Sequence, residues 1–285
     1  MKVKNNLLGF FYNQFDFPIR WLYSQLHLNK LFFWKLYASD FKKLDSKFEE
    51  IKKLMNTLHQ SFKGKVCLEL GPGNSYLNAY NLLMNDAKKV ILVDKFPRYT
   101  KTSKQEEFFN QELDYIRQKY GKKDLFFIKN GKINEEYIRF INRDITKINF
   151  LKNIDFVLTI SVFEHIKNVR EVIAKLSRVI KKDGLMYHSI DLRDHYNFNN
   201  PFLFYKYSKR TWEKYLTKEG VSYTNRVRYN KFMNLFKKYG FRIITQKIER
   251  YNLPSSNKIS KYFSKDQENI NVGKLGVLLK KIQND

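Results

Sequence analysis

The sequence predicts an α/β fold built on an open, mostly parallel sheet with helices on both faces. Three observations carry that expectation. The apolar run Val66–Leu70 contains an acid, Glu69, and breaks at once into Gly71-Pro72-Gly73. A helix-like stretch from Tyr76 to Met84 then leads to a second apolar run, Val90–Val93, which closes on Asp94. Further on, Ile154–Ile160 reads as a buried strand, followed by a helical stretch and another strand, Leu185–Ile190. Strands that alternate with helices build parallel sheets. A glycine turn straight after a strand lets backbone approach a ligand closely, and an acid about twenty residues later is placed for a ribose diol.

The remaining elements follow in chain order. Residues 1 to about 62 are helical in texture, with Trp21, Phe32, Phe33 and Trp34 set among lysines; an interfacial membrane helix is the alternative. Between about 100 and 143 lies a segment longer than a plain crossover needs. It holds a charged helix, Gln105 to Tyr120, and a short strand candidate, Leu125–Ile128, and is expected to be a surface insertion. The helix from Asn168 to Ile180 repeats apolar residues at Val169, Val172, Ile173, Leu176 and Ile180, and Lys181-Lys182-Asp183-Gly184 ends it. A helix from Lys231 to Lys238, a strand Phe241–Ile248 and a last strand candidate Gly276–Lys280 suit an antiparallel hairpin at the end of the sheet.

The spacing of the first turn selects a ligand. A dinucleotide fingerprint needs a third glycine where this chain has Tyr76. A pyrophosphate also disfavours a carboxylate such as Glu69 at the mouth of the turn. An acid there suits a ligand with a cationic amino group, a ribose and no phosphate, which describes S-adenosylmethionine (SAM). The Glu69-x-Gly71-x-Gly73 turn resembles the first motif of class I SAM-dependent methyltransferases. The resemblance extends to Asn142-Arg143-Asp144-Ile145 and to the strand, Ser161-x-x-Glu164-His165, helix, Lys181-x-x-Gly184, strand half of that superfamily. It implies a Rossmann-like sheet of seven mostly parallel strands over residues 63–285, and a helical cap over 1–62 in which Tyr12 and Trp21 help form a lid. It implies SAM as cofactor, held by Glu69, Gly71, Gly73, Asn74, Asp94, Lys95, Asp144, Ile145 and Ser161.

Two later segments, His188-Ser-Ile-Asp191-Leu-Arg-Asp194-His195 and Tyr223-Thr-Asn225-Arg226-Val-Arg228, resemble a bacterial subgroup of these enzymes associated with cell-surface polysaccharide synthesis. That resemblance implies O-methylation of a sugar, nucleotide-sugar or lipid-linked glycan. Methyl transfer to a hydroxyl needs the acceptor aligned and its proton removed. His188, Asp191 and His195 are the candidate catalytic residues, since histidine is the usual base near neutral pH. Asp194, Tyr223, Asn225, Arg226 and Arg228 are candidate acceptor ligands. The plainer alternative pairs His188 inside its strand and locks Asp191, Arg193 and Asp194 in a loop salt bridge. Some metal-dependent O-methyltransferases carry a second glutamate where this chain has Ser161, so no metal is expected. RNA or another small molecule as acceptor is the alternative, although the chain lacks, after its fourth strand, the tetrapeptide that many amino-group methyltransferases use on bases; a non-catalytic SAM-binding partner of a glycosyltransferase is the other alternative.

Composition narrows the partners. The net charge is +26 with pI near 9.8, carried by Lys far more than Arg and spread along the whole chain. Attraction to an anionic membrane face accounts for it, as does a Lys-rich coding bias; nucleic acid is disfavoured because its binders concentrate Arg. With 25 Phe and 19 Tyr the chain has ample material for a core. Its one cysteine, Cys67, falls in a core strand and is expected to act as a small hydrophobe. The apolar run from Leu7 to Tyr12 is too short for a signal peptide or a membrane span, so a cytoplasmic protein is expected, with peripheral contact at the inner membrane face as a further expectation.

Overall fold

Seven strands hydrogen-bond into one sheet in the order Ile138–Asn142, Lys89–Asp94, Val66–Leu70, Ile154–Ile160, Ile180–Asp191, Val272–Lys281, Phe241–Arg250. In the computed structural model, residues 41–96, 103–195, 200–216, 224–253, 259–263 and 267–282 are described. The strands are β1 (Val66–Leu70), β2 (Lys89–Asp94), β5 (Ile138–Asn142), β6 (Ile154–Ile160), β7 (Ile180–Asp191), β8 (Phe241–Arg250) and β9 (Val272–Lys281). A two-residue hairpin, β3 (Ile128–Lys129) and β4 (Lys132–Ile133), stands apart. The pairs β1–β2, β1–β6, β2–β5 and β6–β7 are parallel, and β9 runs antiparallel to both β7 and β8. Strand order reverses between β1 and β6, so the carboxyl ends of these strands border the crevice where open α/β sheets bind ligands.

Side-chain alternation sorts the core onto two faces. Cys67, Val90, Leu92, Phe156 and Leu158 lie under helices α1 (Phe41–Thr57), α2 (Leu77–Met84) and α3 (Ser103–Tyr120). Leu68, Leu70, Val157, Met186 and Ile190 lie under α4 (Val169–Val179) and α5 (Tyr229–Lys238). The central strand β6 is covered on both sides, which is why its sequence is a continuous apolar run rather than an alternating one. Burial also pushes the Cys67 thiol up, consistent with a packing role.

Segment 103–143 is not a surface insertion. Helix α3 is the crossover from β2 to β5, with Leu113 and Ile116 buried against the sheet. The expected strand Leu125–Ile128 is a turn in which Leu125 and Phe127 are buried, and only Ile128 and Lys129 pair with the short β4. Of the expected N-terminal cap only α1 belongs to the described residues; Tyr12 and Trp21 lie outside them.

A polar knot pins α1 to α2 and α3. Asp45 on α1 accepts from Asn81 on α2 at 2.8 Å, and from Lys119 at 2.7 Å and Tyr115 at 3.0 Å on α3. Lys119 also donates to Glu49 at 2.6 Å and to Asn81 at 3.0 Å. Burial alone would lower the Lys119 ammonium, but its bonds to Asp45 and Glu49 hold it above its usual value. Substituting Lys119→Met keeps the apolar stem and leaves a nearly buried carboxylate undercompensated. The expected cost is about 2–4 kcal/mol, read as a lower urea midpoint at unchanged slope. The double substitution Lys119→Met with Asp45→Asn should cost less than the single one.

Candidate active site

Two glycines shape the loop between β1 and α2 for different reasons. Gly71 has φ +72°, and a Cβ placed on it would stand 2.6 Å from a methyl of Val162 in the turn after β6. Gly73 has φ +61° and nothing within 4 Å of where a Cβ would point, so the loop presents bare backbone to open space. Its amide donates to the Asp94 carboxylate at 3.3 Å, which draws the loop over the end of β2. The other Asp94 oxygen accepts from Phe96 N at 2.9 Å.

Glu69 is buried beneath the loop and accepts from the Asn78 amide at 2.7 Å. Asp144 follows β5 and caps the single turn Ile145–Lys147, accepting from Thr146 N at 2.9 Å and its hydroxyl at 2.7 Å; Ile145 is buried. Ser161 follows β6 exposed, at φ +53°, and donates its amide to Ser189 O at 2.9 Å. Asn74 and Lys95 are exposed at the rim. The structure thus brings every residue expected to hold a cofactor to one edge of the sheet.

Sequence reasoning missed Glu112. This α3 residue is fully buried, and its carboxylate accepts from the Ser75 hydroxyl and from Tyr76 N, tying down the far end of the glycine loop. Its signal was present in the sequence. Phe109, Leu113, Ile116 and Tyr120 recur at helical spacing, and Glu112 falls on that apolar stripe, where a charge needs a partner.

The acceptor-side candidates separate. His188 is in the core, not at the rim: it is 0% exposed, bonded through Nδ1 to Thr159 Oγ1 at 2.8 Å, edge-on to Phe163 and stacked on Phe236. Strand alternation turns it under α4 and α5, and burial pushes its pKa down to about 3. Asp194 is also fully buried, not exposed at the rim. Asn225 clasps the turn after β6, donating to Phe163 O at 2.7 Å and Ile166 O at 2.8 Å. Arg226 is buried under Trp212, Tyr262 and Phe263 and donates to Phe204 O and Tyr207 O. Arg228, against Phe202, Phe204 and Tyr205, donates to Leu192 O, Ile270 O and Val272 O. These three residues rivet loops together by donating to main-chain oxygens. Tyr223 lies outside the described residues.

Asp191 and His195 remain at the edge with His165. The rings of His165 and His195 lie 5.1 Å apart. Burial lowers the His195 pKa, and Asp191 and Asp194 offset only part of that, so its imidazole stays neutral at neutral pH. Burial raises the Asp191 carboxyl, but a two-pronged pair with Arg193 (2.9 and 2.7 Å) and the nearby His195 outweigh it and hold it below the usual value. Beneath them Glu164 is buried and accepts from Asp191 N at 3.2 Å. Burial, with Asp191 adding to it, pushes Glu164 up to about 8, so it is a neutral acid at neutral pH. Among the described residues no set of three or more His, Cys, Asp or Glu side chains is arranged to hold a metal ion.

A family model described as a methyltransferase domain matches residues 43–246. No curated protein matches the chain. Similar solved structures include the N-methyltransferase NodS of Bradyrhizobium japonicum WM9 with S-adenosylhomocysteine, at 10% identity and TM-score 0.47, covering 88% of this chain and 92% of that one. Another is the 1,6-didemethyltoxoflavin-N1-methyltransferase of Burkholderia thailandensis, at 14% identity and TM-score 0.43, covering 81% and 76%. A third is the YcgJ protein of Bacillus subtilis, at 14% identity and TM-score 0.45, covering 82% and 98%.

Gly71→Ala meets both backbone strain and the Val162 methyl, whereas Gly64→Ala, at φ +69° with open space, meets strain alone. Chemical denaturation should give about 1 kcal/mol for Gly64→Ala and at least twice that for Gly71→Ala. Protonation yields a second test. The folded-state pKa of His188 is depressed from 6.5, so its contribution is present above pH 6.5 and is lost as pH falls toward 3. That of Glu164 is raised from 4.5, so its contribution is present below pH 4.5 and is lost as pH rises toward 8. Between pH 4.5 and 6.5 the two slopes oppose each other. His188→Phe should therefore gain stability relative to the parent by up to about 1.4 kcal/mol per pH unit on acidification below pH 6.5, measured by urea unfolding across that range.

Proposed function

The chain belongs to the methyltransferase-domain family over residues 43–246, and from that premise we propose that it moves a methyl group from SAM to a hydroxyl oxygen of a sugar or glycan precursor. The observation that carries the cofactor reading is the donor set at the glycine loop. Glu69, Asp94 and Asp144 bring carboxylates to the edge where Gly73 leaves its backbone bare. Such an edge repels a polyphosphate and fits a phosphate-free cation with ribose hydroxyls. Glu69 and the Gly71–Asn74 turn would hold the amino-acid end, Asp94 the ribose, and Asp144 with Ile145 the adenine. When bound, SAM supplies a methyl group already activated on a sulfonium.

The chain's own work is to align an acceptor and remove its proton. His195, neutral and flanked by Asp191, is the base in this reading, with His165 against its ring. Asp191 stabilises the imidazolium that forms as the hydroxyl proton transfers. His188 has no part in this step because its ring is enclosed by Thr159, Phe163 and Phe236. The sugar or glycan acceptor is supported by the resemblance of the 188–195 and 223–228 segments, whose buried members shape the acceptor wall rather than touch the acceptor.

Calorimetric titration with S-adenosylhomocysteine should show binding to the parent and a loss of about 1–3 kcal/mol in Asp94→Ala, since ribose hydroxyls lose their acceptor. No binding to the parent, or equal affinity for both forms, would overturn the cofactor reading. His195→Ala should keep that affinity while methyl transfer to a glycan hydroxyl falls about 10²–10⁴-fold. Retained transfer would remove His195 as the base. Cofactor binding without transfer to any hydroxyl acceptor would instead favour a SAM-binding partner of a glycosyltransferase.

A further inference from the structure

The sheet edge opposite the cleft has the reverse chemistry. At its β8 corner, Arg178 ends α4, Lys181 and Lys182 open β7, Lys237 and Lys238 end α5, and Arg242 opens β8. All six are exposed. They are held together by buried contacts: Ser177 Oγ donates to Tyr239 O at 2.9 Å, and Lys281 Nζ donates to both Ser177 Oγ and Tyr239 O, joining the last turns of α4 and α5 to β9. Arg242 pairs in register with Lys280 on β9. Two acids among the described residues at this corner, Asp155 and Asp183, are each in an ion pair, with Lys181 at 2.6 Å and Lys280 at 2.8 Å. Lys280 holds the Asp183 carboxyl below its usual value, with Lys182 and Arg242 adding to the same field. Among these cations stand two exposed aliphatic side chains, Ile243 at 39% and Ile282 at 43%. Glu135 and Glu136 precede β5, the outer strand at the opposite side of the sheet from β8.

We propose that this corner docks the protein on an anionic lipid surface. Lysines dominate it, and a lysine attracts a headgroup layer as a point charge without the bidentate geometry that arginine brings to nucleic-acid phosphates. The exposed apolar groups are aliphatic, suited to the headgroup boundary and lacking the rings on which bases stack. Among the described residues no helix is long and apolar enough to cross a membrane; the attachment proposed is electrostatic, drawn by the exposed cations. The cleft lies at the other ends of the strands, roughly 20 Å away at strand rise. A docked molecule therefore turns its carboxylate-lined cleft toward the solution.

The test uses the full chain and flotation with phosphatidylcholine vesicles made with and without phosphatidylglycerol. The parent should float with the anionic vesicles only and be released as salt rises past physiological strength. Combining Lys182→Glu, Lys237→Glu, Lys238→Glu and Arg242→Glu should lower partition by about two orders of magnitude. A control carrying Lys122→Glu, Lys123→Glu, Lys129→Glu and Lys132→Glu, with the same change of net charge, should stay near the parent. Both variants should keep the parent's melting temperature and its affinity for S-adenosylhomocysteine, so this idea and the cofactor reading can fail separately. Equal binding to neutral vesicles, equal loss in both variants, or retention by the corner variant overturns the proposal. So does tighter binding of duplex RNA than of vesicles, lost in the same corner variant.

Discussion

Where β1 gives way to its loop, the absent side chain of Gly71 leaves room for the Val162 methyls, and that fit sets the turns after β1 and β6 against each other. The two halves of the cleft meet there. On one side stand the carboxylates that follow β1, β2 and β5; on the other stand Ser161, Asp191 and the two edge histidines. A side chain at position 71 would part the halves, and the methyl donor and the acceptor would no longer share one space. Glu112 reinforces the contact from the other end by gripping Ser75 and Tyr76, so a short flexible sequence becomes a fixed cradle. Preorganisation of this kind is what in-line transfer between two bound molecules requires.

The sequence made the sheet and its cofactor edge legible because both depend on local signals. Apolar runs such as Ile154–Ile160 give strands, and residues that close them, such as Asp94, must lie on the rim whatever the rest does. The acceptor side was less legible, for a definite reason. His188 and Asp191 are three residues apart on one strand, yet only the second reaches the edge, because strand pleat turned the first between Phe163 and Phe236. Arg226 and Arg228 look like anion ligands in a sequence. Main-chain carbonyls from distant loops, 204, 207, 192, 270 and 272, claim their donors, and nothing local announces such partners. Glu112 was hidden by the opposite error, since its charged neighbours made an inward-facing stripe look like a surface.

Charge is unevenly arranged in a protein whose total is strongly positive. The carboxyl edge gathers Glu69, Asp94, Asp144 and Asp191, while the opposite corner gathers lysines. Burial keeps Glu164 neutral under the histidine pair, so the negative charge next to His195 comes from Asp191, itself restrained by Arg193, and from Asp194. Local environment, not overall charge, decides what each edge attracts.

The position of β9 has a consequence for biogenesis. It follows every other described strand in sequence, yet it lies between β7 and β8 and bonds to both. Until it emerges from the ribosome, β7 presents an open row of amides and carbonyls, and β8 has no neighbour in the sheet. Arg228 likewise waits for the carbonyls of Ile270 and Val272. Completion of the sheet therefore waits for β9, and a nascent chain halted before it exposes an unpaired strand edge of the kind that chaperones and proteases engage. The fold thus couples the synthesis of β9 to the joining of β7 and β8 in one sheet.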